Sequence, residues 1–128
     1  MGRMSFVDTL GTCFFSTIVS REILARAVSA ATGWDFTAEE AREVGLRIVN
    51  LARVYNFRQG HTRYLEAPSP RYGSVPVDGP FAGKSFMPSL DQMLDLYYEQ
   101  MGWDKKTGKP LPETLKKLGL EFAIKDLW

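Results

Sequence analysis

The residues with which this chain could do chemistry are few: one cysteine, one histidine, a helix-spaced run of carboxylates, and arginines around a proline-rich stretch. Cys13 closes the hexapeptide Asp8-Thr9-Leu10-Gly11-Thr12-Cys13, with Leu10 before it and Phe14 after it. A thiolate is a nucleophile and a metal ligand. One alone does not hold an iron–sulfur cluster, which normally takes four, and no histidine base lies near it in sequence. By type and spacing alone, Cys13 reads as a small buried apolar residue. His61, beside Gly60, has no second histidine or cysteine to complete a metal site, so it reads as a packing or surface histidine. Asp91, Asp95 and Glu99 recur every four residues and share a helix face. With no other ligand type beside them they read as a solvated face rather than as acid–base or metal chemistry. Arg58, Arg63 and Arg71 flank the proline-rich stretch. Their forks suit a bound phosphate or carboxylate, but ordinary ion pairs that pin the loop are the preferred reading.

The elements that must position these residues are helical. Phe6 to Ile18 is apolar and interrupted by Gly11, which fits a short helix or a helix broken at a ligand-facing bend. Ser20 is an N-cap for a helix over Arg21 to Thr32, with Ile23, Leu24, Ala27, Val28 and Ala31 on one face and Gly33 as the stop. Alanines at 25, 27, 30 and 31 permit close approach of a neighbouring helix. Thr37-Ala38-Glu39-Glu40 is a capping box opening a long helix to about Phe57, whose apolar stripe is Val44, Ile48, Leu51 and Tyr55, widened by Ala41 and Val54. Gly60 to Pro88 holds five of the seven prolines, a composition that excludes a regular helix or central strand. A loop this long is expected to pack on another domain or subunit. Ser89-Leu90-Asp91-Gln92 reads as a second capping box, for a helix with Leu90, Met93, Leu94, Tyr97 and Met101 at helical spacing and Gly102 at its end. A solvated turn over 104–108, a short helix from Pro112 to Gly119 and a docking tail complete an all-α fold of about five helices and one long loop, forming a single helical domain over 1–128.

Composition sets bounds on partners. The chain has 128 residues, 45% hydrophobic and 12% aromatic, enough for a real core and too apolar for a disordered chain. Sixteen basic residues against fifteen acidic ones, interleaved along the chain, make no nucleic-acid footprint. No apolar run approaches the ~20 residues that span a bilayer, and the start lacks the apolar stretch of a secretory signal. A lone cysteine agrees with a reducing, cytoplasmic setting. Residues 1–4 read either as natural sequence or as a cloning remnant before Met4.

Six blocks, in order, carry a resemblance. Asp8-Thr9-Leu10-Gly11-Thr12-Cys13 resembles the Asp-x-x-Gly-Leu-Cys motif near the C-terminus of the tungsten-dependent aldehyde:ferredoxin oxidoreductases. Thr32-Gly33-Trp34-Asp35 resembles their Thr-Gly-Trp-Asp. Gly45-Leu46-Arg47-Ile48-Val49-Asn50-Leu51-Ala52-Arg53 is similar to their Gly-Glu-Arg-Ile-x-Asn-Leu-x-Arg, and Asn56 to Arg63 to the Asn-x-Arg-x-Gly-x-x-Arg that follows. Leu94-Asp95-Leu96-Tyr97-Tyr98 and then Gly102-Trp103-Asp104, Gly108, Pro110 and Leu118-Gly119-Leu120 resemble the family's ending. Two departures stand out: Thr12 replaces the family's leucine, and Tyr64-Leu65-Glu66-Ala67-Pro68 replaces an Asp-Asp pair before Leu-Pro. They mark a divergent member.

The resemblance implies the C-terminal part of an enzyme that oxidises aldehydes to carboxylic acids and passes electrons to ferredoxin. Its cofactors would be a tungsten (or molybdenum) bis-pterin and one four-iron, four-sulfur cluster. Asp8 would accept hydrogen bonds from a pterin, Gly11 and Thr12 would bring backbone against it, and Cys13 would be one of four cluster ligands. The other three thiolates lie outside these residues, so the chain alone is expected to be inactive and to hold neither cofactor stably. The remaining domains or subunits are its expected partners, whether it is an excised domain, a truncated gene product or part of a split enzyme. The alternative is a free-standing helical interaction module that self-associates or binds a partner through Phe6, Phe14 and Phe15, with no nucleic acid or membrane involved.

Overall fold

The computed structural model describes residues 2–13, 15 and 20–128. The chain is all-α, with six helical segments and no strand among the described residues: α1 Gly2–Thr9, α2 Arg21–Thr32, α3 Ala38–Arg58, α4 Pro70–Gly73, α5 Leu90–Met101 and α6 Pro112–Lys117. Short 3-10 turns occupy Arg63–Glu66, Met87–Ser89 and Glu121–Asp126. Four of the helices, α2, α3, α5 and α6, are those the spacing predicts; α1 starts at Gly2, ahead of the Phe6–Ile18 segment expected from the apolar run, and ends at Thr9. The sixth, α4, is a single turn inside the 60–88 stretch, where Pro70 sits at the helix start and its missing N–H costs nothing.

Local chemistry sets most boundaries. Ser20 and Thr37 are extended at ψ 158° and 162°, the geometry that lets a hydroxyl receive an amide of the first turn. Thus Ile23 donates its N–H to Ser20 Oγ at 3.3 Å. In the α3 box Glu40 N–H reaches Thr37 Oγ1 at 3.2 Å while Thr37 N–H reaches Glu40 Oε2 at 2.7 Å. The second expected box does not form. Ser89 has ψ 0° and makes no side-chain cap, because the 3-10 turn around Pro88 leads into α5 without the extended residue a cap requires.

α3 is the spine, and it serves two half-cores. Its N-terminal half packs through Ala41 against Phe6 and Val7 of α1 and Leu24 of α2, with Leu10, Val28, Phe36 and Val44 at the margin. Its C-terminal half packs through Val54 against Leu115, Leu118, Leu120, Ala123 and Leu127, so the tail does dock. At ~100° per residue, Ala41 and Val54 lie about 140° apart around the helix.

That division corrects three expectations. The α3 stripe Val44, Ile48, Leu51, Tyr55 lies between the two half-cores, and Leu51 and Tyr55 are 44% and 60% exposed. On α2 the buried residues are Leu24 and Ala25, while Ile23, Ala27, Ala30 and Ala31 face outward. Phe6 is buried in the α1–α3 half-core and cannot belong to an exposed aromatic face; Phe15 is exposed, and Phe14 lies outside the described residues, as does the end of the first segment at 16–18.

Candidate functional site

α1 carries the hexapeptide to the edge of the fold. Phe6 and Val7 are buried, and Phe6 stacks on Phe36 at 5.8 Å, so the helix is fixed by its apolar side and the next residues are turned outward. The helix closes with Leu10 N–H on Val7 O and Gly11 N–H on Asp8 O, both at 3.1 Å. Thr9 Oγ1 donates to Phe6 O at 2.7 Å, and Thr12 Oγ1 to Val7 O at 3.4 Å. Gly11 has φ +66°, a left-handed conformation that a Cβ penalises, and the space on its Cβ side is open for 4 Å.

Asp8, Gly11, Thr12 and Cys13 are all exposed, and Cys13 is in no disulfide. The reading of Cys13 as a buried apolar residue is therefore overturned. Asp8 forms no ion pair among the described residues. One thiol, one carboxylate and open backbone on a glycine turn fit one edge of a cluster-and-pterin site. They fall short of a whole one, since a cluster normally takes four thiolates, and no group of three His, Cys, Asp or Glu that could hold a metal exists among the described residues.

The structure brings a second set of residues together that spacing did not connect. Three groups converge on Glu66, whose side chain is 16% exposed. Arg53 Nη2 forms an ion pair with its Oε1 at 2.5 Å. His61 Nε2 meets the same oxygen at 2.9 Å, and the Tyr98 hydroxyl donates to Oε2. Burial pushes the Glu66 carboxyl up, but the bonds from His61 and Tyr98 and the charge of Arg53 outweigh it and hold it below its usual value. Burial and the bond to Glu66 push the Tyr98 phenol up.

Arg53 is itself positioned by Trp103, whose ring lies 4.0 Å from its guanidinium, and by Gly108 O, which accepts from Nε at 2.9 Å. A Cβ on Gly108, at φ +74°, would run into Arg53 Nη2 and the Tyr98 ring. Trp103 Nε1 donates at 2.8 Å to Asn50 Oδ1, and Asn50 Nδ2 donates to Leu46 O at 2.9 Å. Asn50 is wholly buried, so each of these bonds satisfies a group that water cannot reach.

This network clamps the turn at Arg63–Glu66 to α3 and α5. His61 packs edge-on to Phe57 at 5.2 Å and is the packing histidine its sequence context predicts. Arg63 Nη2 pairs with Asp95 at 2.9 Å and lies 3.7 Å from Asp91, and Glu99 pairs with Lys105 at 2.7 Å. The carboxylate run is thus a set of ion pairs rather than a ligand group. Arg58 lies 3.6 Å from Asp126; Arg71 forms no ion pair among the described residues. Glu66 falls where the sequence departs from the Asp-Asp pattern, and that departure was the one available signal for it.

Comparison with known proteins places this all-helical chain in a family. A family model described as aldehyde ferredoxin oxidoreductase, domains 2 and 3, matches residues 1–120. A tungsten-containing aldehyde ferredoxin oxidoreductase of Pyrococcus abyssi is 33% identical over 130 residues, covering 94% of this chain and 20% of that protein. The Pyrococcus furiosus and Thermococcus kodakarensis proteins of the same description are 32% and 30% identical over 126 residues, each covering 91% of this chain and 19% of the relative. The chain belongs to the aldehyde ferredoxin oxidoreductase family. It spans about a fifth of the length of the curated relatives it matches.

Proposed function

We propose that this chain is the C-terminal, cofactor-facing part of a tungsten-pterin, iron–sulfur aldehyde:ferredoxin oxidoreductase. Cys13 supplies one thiolate to a four-iron, four-sulfur cluster, Asp8 accepts hydrogen bonds from a pterin N–H, and Gly11 and Thr12 bring backbone against the same group. When bound, the metal–pterin and cluster supply the two-electron oxidation of an aldehyde and the route of its electrons to ferredoxin. The residues of this chain orient that assembly: α1 fixes the turn by burying Phe6 and Val7, and glycine at 11 lets backbone approach without a Cβ in the way. A thiol kept for metal binding belongs to a reducing compartment, the cytoplasm.

The observation that carries this reading is the exposure of Asp8 and Cys13 together on a turn that α1 holds fixed. Structural cysteines are usually buried and inert, whereas a ligand to a shared cluster must face outward from its own domain. Cys13→Ala in the whole enzyme tests it. The expected result is loss of the cluster's iron and of its electron paramagnetic resonance signal, with the melting temperature of the 128-residue chain itself unchanged. Unchanged iron content sinks the assignment. So does a full complement of iron–sulfur absorbance in the 128-residue chain as a monomer, because one thiolate cannot hold a cluster.

A further inference from the structure

We infer that the outward arc of α3, from Val44 through Ile48 and Leu51 to Tyr55, is the surface on which the rest of the enzyme docks, and that its partner seats an apolar ridge there and presents a carboxylate to Arg47. This rests on the proposed function for the identity of the partner, but not for the existence of the surface.

Four positions spaced by four, three and four residues form one continuous helical stripe. Such a stripe ordinarily faces a core, yet both half-cores lie to either side of it. A groove of about 250 Å³ runs along it, lined by Val44, Arg47, Ile48, Leu51 and Leu120. Leu51 is 44% and Tyr55 60% exposed, so apolar surface that folding would normally remove from water stays in contact with it. A contiguous apolar patch rimmed by polar residues marks an interaction site.

Three observations select the occupant. The relatives are about five times longer than the matched segment, so a family member has four-fifths of its mass available to cover this face. The arc begins at Val44, which packs into the half-core that also carries Phe6, Val7 and Leu10. A polypeptide that reaches Cys13 with the remaining thiolates therefore comes to the half-core from which the groove starts. Arg47 lines the groove and has no ion pair among the described residues, so its guanidinium is available to a carboxylate of that polypeptide.

Thiol labelling in the whole enzyme, mapped by mass, tests the inference. Leu51→Cys and, as a second variant, Tyr55→Cys are compared with the exposed control Glu113→Cys. In the 128-residue chain the test and control positions should react with maleimide at similar rates. In the whole enzyme the first two should slow by about tenfold or more relative to the control, as burial in a packed interface excludes the reagent. Equal labelling in chain and enzyme at both positions overturns the inference. Protection already present in the 128-residue chain, with a sedimentation mass of twice 14.5 kDa, also overturns it and makes the occupant a second copy. Protection in the whole enzyme together with unchanged iron in Cys13→Ala upholds the docking surface and removes the cofactor role of Cys13, so the two readings fail separately.

Discussion

Replacing Glu66 by leucine removes the one carboxylate on which Arg53, His61 and Tyr98 converge, and the structure sets the size of the effect. Breaking a buried ion pair from one side costs about 3–5 kcal/mol because a charge is left without its counter-ion. Here the side chains of Arg53 and Glu66 keep 13% and 16% of their exposure, and Arg53 retains its bond to Gly108 O and its place over the Trp103 ring. Those residual contacts move the expected cost to the lower end, about 2–3 kcal/mol. For a chain of this size each kcal/mol lowers the melting temperature by about 3–6 °C, so Glu66→Leu should melt roughly 10 °C lower. Thermal unfolding followed by circular dichroism reads it directly. The decisive control is the double variant Glu66→Leu with Arg53→Met. Removing both charges eliminates the stranded guanidinium, so the double variant should be more stable than Glu66→Leu alone. A single variant that melts within about 2 °C of the parent, or a double variant worse than the single, would refute the clamp.

The remaining predictions follow from the same network. Glu66 has a folded-state carboxyl pulled below its ordinary 4.5, so its contribution is present above that pH and is lost as pH falls through the lower folded value; the acid side of the stability profile should flatten in Glu66→Gln, measured by urea unfolding between pH 3 and pH 7 (about the range over which a carboxyl titrates). Asn50→Ala strands the buried Trp103 N–H and should cost about 1–3 kcal/mol in the same urea assay, whereas a loss well under 1 kcal/mol would mean the Trp103–Asn50 bond is dispensable. Gly108→Ala meets both a left-handed backbone and the Arg53 and Tyr98 side chains, and should cost more than the ~1–2 kcal/mol of the conformation alone; a cost at or below that value would show that Arg53 moves aside freely.

What sequence reading could and could not see divides along the range of the interactions. The Ser20 cap, the Thr37–Glu40 box and the glycine stops at 33 and 102 act within a few residues, and all appear where spacing places them. Ser89 shows the limit of that method. Its residue pattern is that of a box, but a cap needs an extended residue, and the turn around Pro88 holds ψ at 0°. The clamp was out of reach because its members are joined across the fold: Trp103 to Asn50 over 53 positions and Tyr98 to Glu66 over 32. No local rule connects them. The hexapeptide stood between these cases. Its residue types alone pointed to a buried thiol, its match to a family motif pointed to an exposed ligand, and exposure of Cys13 agrees with the motif.

The misreading of α3 has the most to say about function. Periodicity reports that a helix has an apolar side, but not which neighbour covers it. In a self-sufficient domain of this size, one core would take the stripe at 44, 48, 51 and 55. Here that arc is left between two half-cores, each using other residues of the same helix. The outward alanines of α2 and the exposed Val77 and Phe81 of the long loop repeat the pattern at separate places. Apolar residues kept in regular order on faces that their own chain does not cover are the mark of surfaces shaped by something else. The chain spans about a fifth of the length of its relatives, which agrees with the proposal that the stripe at 44, 48, 51 and 55 is a docking surface.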